Sequence, residues 1–134
     1  MTMTAAIGAT MLAAMVPAEH GAQDIRWEEL TDAPAFTAYA DRGSVAGSGD
    51  LRSVTTRTVY KGALPEGFIA ERIRIEEFDC VQKRSRIRRV TILANDGRKP
   101  ETQQWAAEES TWSATEPDSL GEQKHEIACA AFVR

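Results

Sequence analysis

Residues 77–93 read EFDCVQKRSRIRRVTIL, and the fold follows from how this stretch is divided. Its first residues end a run that begins at Ile69, and its last lead into the apolar stretch Val90, Thr91, Ile92, Leu93. Two strands meeting in a tight turn near Val81 and Gln82 account for both halves. In that antiparallel hairpin Asp79 faces Arg84 and Glu77 faces Arg86, which sets opposite charges across from one another. The stretch also holds Lys83, Arg84, Arg86, Arg88 and Arg89, five of the chain's 16 basic residues. On an exposed strand such a run is a candidate site for an anionic glycan or lipid headgroup. Glu71, Glu76, Glu77 and Asp79 on the preceding strand support a plainer expectation, a solvated face of paired charges. No aromatic residue lies inside the run to stack a base, and nucleic acid is not an expected partner.

Outward from the hairpin, strand and turn signals alternate closely. Residues 69–78 and 83–94 form the longest expected strand pair, with Asn95-Asp96-Gly97 closing its far end because these residues tolerate positive φ. Alternation is imperfect in both strands. Ile69, Ile73 and Ile75 share one face while Phe78 and Cys80 take the other, and Ile87 lies opposite to Val90 and Ile92. A β-bulge near Glu76 or Arg88 reconciles the pattern, as does a sheet buried on both faces at one end. Upstream, residues 25–30 (IRWEEL), 36–41 (FTAYAD) and 51–60 (LRSVTTRTVY) read as strands, the last rich in β-branched residues. Thr37, Tyr39 and Asp41 fall on one side of the second strand. The segment RGSVAGSGD, residues 42–50, reads as a loop, and KGALPEG as a turn. Downstream, Ser119 followed by Glu122 forms a capping box that starts a helix running to about Ala130.

The chain has two cysteines, Cys80 and Cys129. Residues 5–16 are small or apolar, no Lys or Arg precedes Arg26, and Val16-Pro17-Ala18 supplies small residues for a cleavage site. This run suits the core of a secretory signal and is too short to span a bilayer. Residues 1–23 are thus expected to be a signal-like or mobile segment, and residues 24–134 the mature domain. In an exported chain a lone cysteine pair is most simply a disulfide, here joining a strand end to the helix. Two sharper chemistries compete. Glu122, His125 and Cys129 lie at helical spacings and, with Cys80, resemble a zinc set; alternatively His125 activates Cys129 as a nucleophile. Cys129 sits opposite Leu120 and Ile127, the apparent buried stripe, so the bridge requires the helix to unwind early or to pack through its alanines.

At 134 residues the chain forms one domain with a modest core, and its 43% apolar and 27% charged residues are those of a globular protein. A net charge of −4 argues against nucleic-acid binding through the overall field. Nucleotide-loop, zincin and C-x-x-C motifs do not occur in the sequence. Trp27, Trp105 and Trp112 are expected in the core or at its rim. No acidic pair can be given a geometry for acid–base chemistry.

Taken together, these residues resemble the surface-adhesin protein E family of small exported bacterial proteins. Trp27 opens the first strand, Tyr39-Ala40-Asp41-Arg42-Gly43-Ser44-Val45 resembles its Y-x-D-x-x-S-[IV] segment, and Thr56-Arg57-Thr58-Val59-Tyr60 resembles the strand that follows. Cys80, the Asn95-Asp96-Gly97 turn, Trp112 with Pro117 and Ser119, and Cys129 complete the pattern over nearly all of the mature chain. The resemblance implies an α+β fold, a single antiparallel sheet with a carboxy-terminal helix tied by the Cys80–Cys129 disulfide. It implies no catalytic site and no cofactor, surface exposure, and binding of a protein or envelope component, with a homodimer as one arrangement. The lipidated cysteine of the founding type is absent from the sequence, which favours a periplasmic or secreted form without a transmembrane segment. The expected function is therefore that of an exported, non-enzymatic binding domain. The alternatives are a small periplasmic enzyme and an anion-binding module built on Lys83, Arg84, Arg86, Arg88 and Arg89.

Overall fold

The computed structural model describes residues 25–131, and the signal-like segment falls outside them. Seven strands form one antiparallel sheet in which β1 (Trp27–Asp32), β2 (Phe36–Ala46), β3 (Leu51–Tyr60), β4 (Ile69–Asp79), β5 (Arg84–Ala94) and β6 (Glu101–Gln104) follow in chain order. A two-residue strand, β7 (Ser113–Ala114), pairs with the start of β5. The helix α1 (Leu120–Cys129) comes last. Neighbours in sequence are neighbours in the sheet, the simplest topology for short connections.

The hairpin register matches that of the sequence reading, with Glu77 opposite Arg86 and Asp79 opposite Arg84. The Asp79 carboxylate fixes the turn by accepting from the Val81 and Gln82 amides at 3.0 and 2.9 Å. Between the Ile75–Arg89 and Glu76–Ile87 pairs the register slips by one residue, leaving Arg88 as the bulge. That slip brings Ile87 onto the face of Val90 and Ile92. A second slip between Ile69 and Glu71 moves Ile69 away from the face of Ile73 and Ile75.

Two readings of the sequence need correction. Residues 42–46 are strand, not loop: the Ser44 hydroxyl accepts the Thr55 amide at 2.7 Å and stands in for a backbone carbonyl where the β2–β3 register shifts. The true loop starts at Gly47, whose φ of +106° and 2.6 Å gap from its Cβ position to the Leu51 carbonyl oxygen exclude any side chain. Asn95-Asp96-Gly97 leads to β6, which pairs with β5; the sequence ETQQ has no apolar alternation and is fully exposed, so it carried no strand signal. The tryptophans are half-buried, within the expectation of core or rim positions, and the core consists of Ala40, Val54, Phe78, Ile127 and Ala128.

Helix α1 begins as expected. Ser119 Oγ accepts the Glu122 amide at 3.1 Å, while the Glu122 carboxylate accepts the amide of Asp118. Its buried residues are Lys124, His125, Ile127 and Ala128. The stripe is therefore centred near Lys124 and Ala128 and not on Leu120 and Ile127. A lysine can lie there because its ammonium meets Glu76 at 2.8 Å, and Glu76 also accepts from Thr56 Oγ1. This rotation brings Cys129 to the flank of the interface. Cys80 and Cys129 form a disulfide with Cα atoms 5.7 Å apart. Both sulfurs are consumed by it, so neither serves as a zinc ligand or nucleophile.

Candidate functional site

The helix packs on one face of the sheet through Ala40, Val54 and Phe78. The other face has no second layer among the described residues. Strand pairing defines its composition row by row. One row runs Trp27, Asp41, Thr55, Ile75, Arg89, Gln104, and the next runs Glu29, Tyr39, Arg57, Ile73, Thr91, Thr102. Apolar, aromatic and arginine side chains thus share a broad, half-exposed surface.

Two arginine–aromatic clusters stand on this face. The Arg57 guanidinium lies 5.6 Å from the ring centroids of both Trp27 and Tyr39, within cation–π range, and is also paired with Glu71. Near the hairpin turn the Trp112 ring receives Arg84 and Arg86, at 4.4 and 4.1 Å from its centroid. The Glu77 and Asp79 carboxylates hold those arginines in place at 2.6 and 3.1 Å. Between the clusters lies a shallow depression of about 240 Å³ lined by Thr55, Ile73, Arg74, Ile75, Arg89 and Thr91.

The basic run is used largely for internal contacts. Arg84 pairs with Asp79, and Arg86 and Arg88 both reach Glu77. Arg86 Nη1 also donates to the Ala107 carbonyl, and Arg88 Nε donates to that of Trp105. Ser110 Oγ completes the clamp by donating to the Ile87 carbonyl. These contacts fasten residues 105–110, which include one turn of 3-10 helix, to the sheet edge. Arg86 is only 10% exposed in its side chain, far from the solvated position its sequence context suggested. Lys83 occupies the turn with φ of 53°, and Arg89 is exposed on the open face.

The titrating groups nearby are shaped by burial. Burial raises the Asp79 carboxyl, but bonds from the Gln82 amide, Arg84 and the Val81 amide outweigh it and leave the pKa below 3.8. Burial, aided by the charge of Lys83, lowers His125 from its ordinary 6.5 against the pull of Asp79, Glu122 and Glu126. The His125 ring packs edge-on against Phe78 at 5.8 Å, and its Nδ1 has no hydrogen-bond partner.

A scan of family profiles matches the surface-adhesin protein E model over residues 27–130. The chain belongs to the surface-adhesin protein E family. The match covers the whole sheet, the disulfide and the helix. Among curated proteins, no sequence matches the chain significantly. In this family member the Trp27, Tyr39 and Arg57 cluster was not singled out in the sequence as a site. Alternation placed Tyr39 on a face, but only the register of β1, β2 and β3 brings the three side chains together. No described helix is long and apolar enough to cross a membrane.

Proposed function

We propose that the chain is an exported, non-enzymatic binding module that docks a protein or envelope component on its open sheet face. On this reading residues 1–23 form the signal-like segment, residues 24–134 the working domain, and the protein acts in the periplasm or outside the cell. The observation that carries it is the pair of arginine–aromatic clusters on a broad sheet face with no covering layer. Trp, Tyr and Arg dominate the energetics of protein interfaces because they bury large areas and still make polar contacts. Membership of the surface-adhesin protein E family supports the same reading. The position of His125, packed on Phe78 beneath the helix, argues against the alternative of a small periplasmic enzyme. The other alternative, an anion site on Lys83, Arg84, Arg86, Arg88 and Arg89, is weakened by the ion pairs of the three middle arginines.

The test is saturation binding of labelled mature protein to isolated bacterial envelopes and to cultured animal cells. Saturable binding to one of them, lost in the double variant Trp27→Ser, Trp112→Ser while the thermal midpoint stays close to that of the parent, is the expected result. Undiminished binding of that variant contradicts the assignment of the face.

A further inference from the structure

Away from the open face, the turn between β3 and β4 borders an open groove of about 500 Å³. Ala35, Tyr60, Leu64, Phe68, Ile69 and Arg72 line it. The wall is held in shape by one side chain: Asn95 Nδ2 donates to the carbonyls of Leu64 and Pro65 at 3.0 and 2.8 Å, and Asn95 Oδ1 accepts the Gly67 amide at 2.7 Å. Arg98 adds a bond to the Gly67 carbonyl, and the Lys61 amide donates to that of Ala35. A loop pinned this way nonetheless leaves Phe68 57% exposed. Clamping a loop while displaying its largest apolar side chain beside a groove is the arrangement of a preformed site.

One basic group in the lining, Arg72, has no acidic partner among the described residues, whereas Asp96, near Gly67, is paired with Arg98. Arg72 donates to the Tyr60 hydroxyl and stacks on its ring at 5.5 Å. The neighbouring Glu71 does not serve Arg72, because it pairs with Arg57. Lys61, also on the rim, is matched by Asp32. A half-buried guanidinium group without a carboxylate partner, lining a mainly apolar groove, is complementary to a molecule with an anionic head and an apolar tail.

We propose that this groove binds a single-chain amphiphile, its carboxylate or phosphate head on Arg72 and its acyl chain against Leu64, Phe68 and Ile69. The site is independent of the open face, so the two assignments stand or fall separately.

Isothermal titration of the mature protein with monomeric dodecanoate and dodecyl phosphate, each below its micellar concentration, tests it. Saturable one-to-one binding of at least one is expected, with dodecyltrimethylammonium and acetate each at least about tenfold weaker, because charge-assisted bonds and chain burial both contribute. Preference for dodecanoate assigns a fatty-acid-like ligand, and preference for dodecyl phosphate a phosphate-headed one. Arg72→Gln is expected to weaken binding about tenfold or more. Phe68→Ser, at an exposed position and expected to keep the circular dichroism of the parent, is expected to weaken it several-fold. The proposal is overturned by an absence of saturable heat for both anionic chains, by equal binding of the cationic chain or of acetate, or by binding insensitive to both variants.

Discussion

Lys124 Nζ on α1 lies 2.8 Å from Glu76 Oε2 on β4, and their side chains are only 9% and 11% exposed. The pair lies between helix and sheet next to the apolar cluster, where an unpaired charge is costly. Lys124→Met alone should destabilise the domain by roughly 3–5 kcal/mol, because Glu76 is left buried without its partner. Adding Glu76→Gln should recover a large part of that loss. Urea denaturation of both variants measures the coupling, and additive losses would show that the pair acts as two separate residues.

The disulfide closes a 49-residue separation. The chain-entropy model assigns a loop of this size roughly 4 kcal/mol of stabilisation. Cys80→Ser should lower stability by about that amount and leave Cys129 reactive toward thiol reagents. Denatured parent protein from an oxidising compartment should show no titratable thiol. Two thiols per chain would contradict the bridge.

Acidification should weaken the fold in two stages. The folded pKa of His125 is depressed, so below about 6.5 the unfolded chain binds more protons and stability falls as pH drops toward the folded value. Asp79 is also depressed, and its contribution, present above about 3.8, is lost as pH falls through its folded pKa. Urea midpoints at pH 7.5 and 5.5 should differ in the parent and differ less in His125→Gln. An equal shift in both would place the first stage on another group.

The basic strand should bind anions weakly. Arg84, Arg86 and Arg88 have partners in Asp79, Glu77 and the carbonyls of residues 105 and 107. Retention on heparin should be slight even at low salt, and Arg86→Gln should cost about 2 kcal/mol through the loss of a largely buried, charged hydrogen-bond network. Strong retention that falls steeply with salt and disappears in Arg84→Gln, Arg86→Gln, Arg88→Gln would reverse this assignment.

Much of the fold was legible because its signals are local. The register of Glu77 with Arg86, the Ser119 cap and the pairing of Cys80 with Cys129 all follow from short-range pattern or from cysteine count. The alternation left open a bulge near Glu76 or Arg88 or a doubly buried sheet, and only the observed register places it at Arg88. Strand β6 was not legible, since ETQQ buries nothing. The buried stripe of α1 was misplaced because Lys124 looks like a solvent residue until Glu76, 48 positions away, is known to neutralise it. The open face failed for a related reason. Trp27, Tyr39 and Arg57 lie on three strands, and each resembles a rim residue until strand pairing aligns them.

The central claim is that the open sheet face meets the partner, and the tryptophans allow a direct measurement. Trp27 and Trp112 belong to that face, whereas Trp105 lines a separate cavity with Glu76 and Ile87 on the helix side. Hydroxyl-radical footprinting of the mature protein, alone and bound to the envelope or cell preparation that retains it, reports the accessibility of all three rings at once. Trp27, Tyr39 and Trp112 should become protected while Trp105 is oxidised at an unchanged rate. Protection of Trp105 with Trp27 and Trp112 unchanged would place the partner on the other side of the sheet and contradict it.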